Sequence, residues 1–215
     1  VTNLPFLERI AKFRVPNKKI ILSTGMCTID EIHQAVDIIL KYEMPENLII
    51  LHCNTEYPTP DKDVNLSGID TLHKEFPGIQ IGFSDHSVGC VAAIGACMKD
   101  ICCIEKHFTL DKNLPGPDHK ASATPDELKA LCENVRRIEV IAGEGGKRVT
   151  ESERRNINIA RKSIVARCAI KKGDLFTEEN ITCKRPGNGI SPMEWYKVLG
   201  TAAVRDFEED ELIER

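Results

Sequence analysis

Two histidines, His86 and His107, are the residues of this sequence best suited to chemistry. Each one follows a short, largely apolar run that predicts a buried strand. If the two strands are neighbours in a parallel sheet, about 4.8 Å apart, the imidazoles can converge on one divalent ion. Two protein ligands would leave positions open for water and substrate, as in a catalytic metal site. The alternative is that both imidazoles only satisfy backbone groups of the loops.

Three more residues near predicted strand ends could support such a site. Glu105 lies beside His107 and is a natural group to stand behind a metal ligand. Ser84 and Thr55 carry short hydroxyls, which suit phosphate oxygens, although each alone is a weak signal.

Three loop residues are further candidates for substrate contacts. Tyr57, in EYPTP, could stack on a substrate or hydrogen-bond to it, or could simply pack. Asp118, in LPGPDH, could orient a sugar hydroxyl, but aspartate in such a loop is also a common turn former. Arg185, in KRPGNG, could present its guanidinium to an anion or an amide. The alternative interpretation is that Arg185 is an ordinary surface arginine.

The elements that must position these residues alternate between strand and helix. Strands are predicted at 19–24, 48–53, 79–84 and 101–107. Helices are predicted at 5–13, 30–42, 67–76, 86–99 and 125–142, the last with Thr124 as its N-cap. Such alternation is typical of an α/β fold with a parallel sheet.

The spacing of the strands favours a TIM (β/α)8 barrel over an open doubly wound sheet. Successive strand starts, at 19, 48, 79 and 101, are 29, 31 and 22 residues apart, against about 31 residues for each unit of a barrel of about 250 residues. No Gly-x-Gly-x-x-Gly follows a strand, and polar residues follow every strand, as at the catalytic face of a barrel. Only four units are present, so we expect the last four βα units of a barrel, with about four missing upstream.

The sequence changes character after Gly143. Residues 144–162 are polar and predict a linker, and residues 163–215 predict a small β-rich module. Strands are predicted at 163–166, 181–184 and 202–205, and a faint repeat pairs 169–181 with 203–213.

Composition narrows the class of protein. Of 215 residues, 41% are hydrophobic and 29% charged, which excludes a disordered chain. The formal charge of −4, without a basic stripe, argues against nucleic acid or an anionic membrane as partner. The nine cysteines include no Cys-x-x-Cys pair and are expected to be structural, mostly buried thiols of a cytoplasmic protein.

Four segments together closely resemble the N-acetylneuraminate (sialic acid) synthase family. They are HCNTEYPTP (52–60), IGFSDHSVG (81–89), EKHFTLDKNLPGPDHKAS (105–122) and KRPGNGIS (184–191). The resemblance runs over nearly the whole chain and includes the antifreeze-like (SAF) module that follows the barrel in this family. Legionaminate and pseudaminate synthases share most of these segments, so the substrate stays open.

The resemblance implies that phosphoenolpyruvate condenses with an N-acetylated hexose, N-acetylmannosamine first, to give a nine-carbon α-keto acid and phosphate. Manganese, or else magnesium or cobalt, would be held by His86 and His107. The implied phosphoenolpyruvate contacts are Ser84 and Thr55, and the implied sugar contacts are Tyr57, Asp118 and Arg185. The family forms a domain-swapped homodimer in which the antifreeze-like arginine reaches the other subunit's site.

One departure from the family pattern bears on activity. In the family, a phosphate-binding lysine and serine and an acid/base glutamate precede the segment that 1–5 resembles. This chain starts after them, at Val1, so we expect it to be a C-terminal part that cannot complete the reaction. A non-catalytic dimer partner or binding module is the other possibility. Ice binding is disfavoured because the module carries many Lys and Glu residues.

Overall fold

The apolar runs of the first unit form a parallel sheet in the computed structural model, which describes residues 1–13 and 17–215. Within those residues the sheet has the strands β1 (Ile20–Ser23), β2 (Leu48–Cys53), β3 (Gln80–Asp85) and β4 (Ile104–Lys106). Each strand pairs in parallel with the next along the chain, in the order β1-β2-β3-β4. Sequential parallel strands joined through helices make this the half of a TIM (β/α)8 barrel that the strand spacing predicts.

Six helices, two of them with a capping box at the start, lie in the described residues of this unit. They are α1 (Leu4–Lys12), α2 (Ile29–Leu40), α3 (Asp61–Val64), α4 (Ser67–Glu75), α5 (Val91–Ala96) and α6 (Pro125–Ala142), with 3-10 turns at Pro45–Asn47 and Cys97–Lys99. Thr28 and Thr124 each form a capping box with a glutamate, Glu31 and Glu127. The predicted helix 125–142 and its N-cap are therefore confirmed.

The two faces of the sheet differ in burial. One face packs under the helices, and its strand residues in the core are Ile20, Leu22, Leu48, Ile50, Ile81 and Phe83. The other face is open at β1, where Ile21 is 54% exposed and Ser23 is exposed. The expectation that each strand is buried on both faces is wrong for β1, because no described element covers that side of Ile21, and for β4, where Glu105 is exposed.

Two predicted elements begin later in the structure than predicted, and one helix is additional. The regular part of β4 starts at Ile104 and not at residue 101, shortly after Asp100 takes a left-handed conformation (φ 54°). Helix α5 starts at Val91 and not at residue 86, because Asp85 captures the Ser87 N–H and holds this segment in a turn. The short helix α3 was not predicted.

The second unit has a core of its own. It contains the antiparallel strands β5 (Ser163–Ala166) and β6 (Ile181–Lys184) and the short helices α7 (Glu151–Arg154), α8 (Ile157–Ala160) and α9 (Trp195–Val198). A 3-10 turn at Pro192–Glu194 leads into α9. The core consists of Ile164, Ala166, Ile170, Phe176, Ile181, Val198, Ala203, Phe207 and Ile213. The first unit spans Val1–Gly145 and the second Gly146–Arg215.

The predicted strand at 202–205 is not a strand. Ala202 makes only an isolated bridge with Leu175, and the chain then bends. The bend turns Arg205 toward Glu211 and Glu214, with which it forms ion pairs. The two halves of the faint repeat do meet, through paired backbone hydrogen bonds between Ile170 and Phe207.

All nine cysteines are free thiols. Three of them, Cys102, Cys132 and Cys168, are exposed, and the other six are only partly buried, so the expectation of mostly buried thiols is wrong. In the part of the chain that the structure describes, no helix has the length and apolar character needed to cross a membrane.

Candidate active site

The register of β3 and β4 brings the predicted site residues together. Ser84 lies opposite Glu105, and the next pair in the register is Asp85 with Lys106. Side chains alternate between the two faces of a strand. Ser84 and Glu105 therefore point to the open face, and His86 and His107, which follow the strand ends, extend the same row.

A cavity of about 270 Å³ lies at this end of the sheet. It is lined by Ser23, Gly25, Cys53, Thr55, Tyr57, Ser84, His86, Glu105 and His107. Six of the eight predicted site residues thus share one cavity. The other two are Asp118 and Arg185.

The two imidazoles lie close together at the cavity wall. Their ring centroids are 5.2 Å apart, and the rings are nearly perpendicular, at 75°. His86 Nδ1 lies 2.5 Å from the backbone oxygen of Asn54. Because a carbonyl oxygen only accepts, Nδ1 carries the hydrogen, and a neutral His86 keeps a lone pair on Nε2.

A chain of hydrogen-bonding groups runs from Glu105 through Ser84 to His86. The Ser84 hydroxyl donates to Glu105 Oε1 at 2.6 Å, and Ser84 Oγ lies 3.1 Å from His86 Nε2. A serine has one hydroxyl hydrogen, so it cannot donate to both neighbours. The group as a whole is therefore rich in lone pairs and short of positive charge.

The lone pairs that lack a hydrogen or a positive charge bear on whether these residues fit a metal ion. A proton or a cation beside His86 Nε2 would satisfy the lone pairs, and imidazole is a common ligand of divalent transition metals. Within residues 1–13 and 17–215, no group of three or more His, Cys, Asp or Glu side chains is arranged to hold a metal. The donor set fits a cation held by His86 and His107 that keeps its other positions for water or substrate.

Tyr57 packs against both imidazoles. Its ring centroid lies 4.2 Å from that of His86 and 5.0 Å from that of His107. The loop that carries it is tied to the site, because Thr59 N–H donates to His86 O and Thr59 Oγ1 donates to Glu56 O. Burial raises the pKa of Tyr57, so its phenol stays a neutral hydrogen-bond donor.

Asp118 lies at the edge of the site. Its Oδ2 is 3.9 Å from His107 Nδ1, which is too long for a hydrogen bond. The Asp118 backbone oxygen accepts hydrogen bonds from Ala121 and Ser122, which fold the loop back toward the strand end. Its carboxylate is half exposed and can reach a ligand.

Arg185 belongs to the second unit. Its Nε donates to the backbone oxygen of Ala160, the last residue of α8. Gly187 follows in the same loop, and a Cβ there would lie 2.6 Å from Arg161 Cβ. Glycine therefore allows this loop to approach the segment before β5 closely.

Three lining residues, Ser23, Gly25 and Cys53, were not among the predicted site residues. Ser23 and Cys53 point to the open face of their strands, as alternation from Leu22 and His52 would have indicated. A Cβ at Gly25 would lie 2.6 Å from Thr55 Cγ2, so glycine lets the two loops meet. Burial raises the pKa of Cys53, which keeps its thiol protonated.

Comparisons of the chain with known proteins agree with this architecture. Residues 1–147 match the NeuB family, and residues 161–214 match the SAF domain. The N,N′-diacetyllegionaminic acid synthase of Campylobacter jejuni is 50% identical over 214 residues, which are 99% of this chain and 63% of that protein. The human N-acetylneuraminate-9-phosphate synthase is 32% identical over 98% of this chain and 58% of its own length.

Solved structures support the same assignment. The crystal structure of the spore coat polysaccharide biosynthesis protein SpsE from Bacillus subtilis is 35% identical, with a TM-score of 0.61 over 99% of this chain and 63% of that one. The N-acetylneuraminic acid synthetase of Leptospira borgpetersenii is 38% identical, with a TM-score of 0.63 over 72% of this chain and 52% of that one. The chain thus spans less than two thirds of the length of each relative named here. The match over residues 1–147, the part that holds the cavity, shows that this chain belongs to the NeuB family.

Proposed function

We propose that the full-length protein is a sugar acid synthase that joins phosphoenolpyruvate to the open-chain aldehyde of an N-acetylated hexose. The first pair we propose is N-acetylmannosamine as substrate and N-acetylneuraminate as product. The observation that carries this proposal is the convergence of Ser84, His86, Glu105 and His107 on one cavity in a NeuB-family barrel. Two of the relatives are sugar acid synthases by name.

The proposed reaction makes one C–C bond and replaces the C2–O bond to phosphate by a C2–O bond to the oxygen of water, whose two protons end on the aldehyde oxygen and on the phosphate. C3 of phosphoenolpyruvate attacks the aldehyde carbon, and the aldehyde oxygen becomes a hydroxyl. Water adds at C2 of the former phosphoenolpyruvate, and phosphate leaves with its bridging oxygen. One water is consumed and one phosphate is released for each α-keto acid formed.

His86 and His107 would hold the cation, for which Mn²⁺ is our first proposal and Mg²⁺ or Co²⁺ the alternatives. When bound, it would polarise the aldehyde oxygen as a Lewis acid. The hydrogen bond from His86 Nδ1 to Asn54 O leaves the Nε2 lone pair available to the cation. Glu105, which accepts the Ser84 hydrogen, adds negative charge behind this position.

The remaining site residues would bind the two substrates. Thr55, exposed in the cavity, would donate a hydrogen bond to phosphoenolpyruvate, and Ser84 would do so after its hydroxyl turns away from Glu105. Tyr57 and Asp118 would contact the sugar beside the histidines. We propose that Arg185 contacts the sugar of the other subunit in a domain-swapped homodimer.

The direct test measures phosphate release and α-keto acid formation by the full-length protein with phosphoenolpyruvate and N-acetylmannosamine. We expect turnover that stops with a chelator and returns with Mn²⁺. Failure to consume phosphoenolpyruvate with any N-acetylated hexose, by a folded and metal-loaded protein, would overturn the proposal in favour of a non-catalytic dimer partner.

A second candidate substrate is an N,N′-diacetylated hexose, as in a legionaminate synthase. It is favoured by the 50% identity with the Campylobacter N,N′-diacetyllegionaminic acid synthase, against 32% with the human enzyme. The kcat/KM values for the two sugars, measured side by side, decide between them. Pseudaminate synthase activity is the third outcome of the same assay.

A further inference from the structure

A buried ion pair lies directly behind the two histidines. Asp85 is the last residue of β3 and Lys106 the last of β4, and the two are register partners. Lys106 Nζ donates to Asp85 Oδ2 at 2.9 Å. The lysine side chain is 4% exposed and the carboxylate 0%.

Hydrogen bonds complete this pair on both sides. Asp85 Oδ1 accepts from Ser87 N–H at 2.9 Å and from Ser87 Oγ at 2.7 Å. Lys106 Nζ also donates to the backbone oxygen of Ser87 at 2.9 Å. The pair therefore joins the ends of both strands and the residue that follows His86 in one network.

The pair and the histidines lie on opposite faces of the same two strands. Ser84 and Glu105 face the cavity, Asp85 and Lys106 face away from it, and the next residues, His86 and His107, face it again. The ion pair thus occupies the one position on each strand that directly precedes a proposed cation ligand. A shift of either strand end would change the separation of the imidazoles.

A contribution to the stability of the fold is a weak explanation for a buried ion pair. Two charges lose their hydration on burial, and apolar residues of similar volume often serve a core as well or better. Charged networks differ from apolar contacts in being directional, since they hold their partners at fixed distances and angles.

We propose that Asp85 and Lys106 are positioning residues that fix the separation and orientation of His86 and His107, and so set the affinity of the site for a divalent cation. Neither residue touches the cation or the substrates. This inference rests on the proposed function, because it takes the two histidines as the cation ligands.

The test uses Mn²⁺ as the probe and the full-length protein. Lys106→Met and Asp85→Asn each break the pair, and the double variant removes both charges, so that no unpaired buried charge is left to unfold the protein. We expect the dissociation constant for Mn²⁺ to rise about tenfold or more in all three, the range known for groups behind metal ligands. The electron paramagnetic resonance spectrum of bound Mn²⁺ should also change.

Lys18→Met provides a matched control. Lys18 pairs with Glu43 at 2.6 Å, has a side chain only 15% exposed, and precedes β1 at the amino end of the sheet. Loss of this pair should lower thermal stability but leave the Mn²⁺ dissociation constant within about twofold. If Mn²⁺ binding weakens in Lys18→Met as well, the effect is a general loosening of the fold, which contradicts a specific role for the Asp85–Lys106 pair.

Two further outcomes separate the positioning role from the cation site itself. If His107→Ala binds Mn²⁺ as tightly as the wild type, the cation assignment is wrong and the positioning role falls with it. If His107→Ala loses Mn²⁺ but the folded double variant binds it with the wild-type constant and spectrum, only the positioning role is overturned.

Discussion

The two units of this chain use their polar side chains in different ways. At the carboxyl ends of β3 and β4, Glu105, Ser84 and His86 share too few hydrogens for their lone pairs and line a cavity. On the surface of the second unit, Arg205 satisfies two carboxylates at once, those of Glu211 and Glu214. A group left electrostatically incomplete beside a cavity marks a place for a ligand, whereas a completed surface pair only supports the fold.

The two units also differ in how completely their apolar residues are covered. In the second unit, Phe176 and Phe207 are 1% exposed, and their ring centroids lie 5.9 Å apart. In the first unit, one face of β1 leaves Ile21 54% exposed. The first unit thus combines a cavity at its strand ends with an uncovered sheet face, and the second is closed around its own core.

The largest effect should come from the histidines. His86→Ala and His107→Ala should each lower cation-dependent turnover of the full-length protein by at least about a hundredfold, since loss of a group merely behind a metal ligand already costs 10- to 100-fold in affinity. Phosphate release measured against Mn²⁺ concentration checks this. His33→Ala is the control, because His33 lies on α2 and pairs with Glu75. Full activity in either site variant would remove the metal assignment.

The second prediction tests whether each unit can fold without the other. Residues 146–215 expressed alone should unfold in one cooperative thermal transition, because their core is complete without the first unit. Residues 1–145 alone should bind a hydrophobic dye and aggregate, because the sheet edges and the open face remain uncovered. Circular dichroism melts and dye binding measure both. A sharp transition for a monomer of residues 1–145 would show that this unit is self-sufficient.

Much of this fold follows from local sequence signals. The ranges 48–53, 125–142, 163–166 and 181–184 were predicted with the bounds that the structure has, because apolar runs or a capping box define their ends. The turn at 86–90 was predicted as helix, because the small apolar residues after it extend the helical pattern and the Asp85 side chain that breaks it acts through tertiary structure.

The candidate site was predictable only as far as its residues carry a local sequence signal. Residue type and position at strand ends pointed to His86 and His107, and these two do lie together. The pairing of Asp85 with Lys106 depends on the register of two strands, which no local pattern reveals. This buried ion pair behind the histidines is therefore the part of the site that sequence analysis misses.

The third prediction concerns Arg185, the exception to the contrast between the units. Arg185→Ala should change stability by no more than about 0.5 kcal/mol, as for other surface substitutions. If Arg185 contacts the sugar, the KM for the sugar should rise about 10-fold to 150-fold, from a hydrogen bond worth roughly 1.5 to 3 kcal/mol, with a much smaller change for phosphoenolpyruvate. Steady-state kinetics with each substrate varied in turn measures both constants.

A mixing experiment sharpens this prediction. In a swapped dimer of one Arg185→Ala subunit and one His107→Ala subunit, both lesions fall in one site and the other site is intact. Activity should therefore return when the two variants exchange subunits. If exchange is demonstrated and activity does not return, Arg185 does not act in the other subunit's site.

The smallest effect should be an acid sensitivity of the second unit that depends on Arg205. The guanidinium of Arg205 lowers the pKa of Glu214, and hydrogen bonds from the Glu208 N–H and then from Arg205 lower the pKa of Glu211. Because these carboxylates bind protons less readily when folded, their contribution is present above their usual pKa of 4.5 and is lost as the pH falls through the lower folded values.

Arg205→Met should therefore flatten the dependence of the melting temperature of residues 146–215 on pH between 5 and 3. The pairs are exposed and screened by solvent, so the difference in slope should amount to no more than about 5 °C over this range. The variant also loses the contact of the guanidinium with the Phe207 ring at 4.2 Å, but that loss is the same at every pH. Lys172→Met, with the same change in charge, should keep the wild-type slope. A wild-type slope in Arg205→Met would mean that these surface carboxylates do not contribute to the stability of the unit.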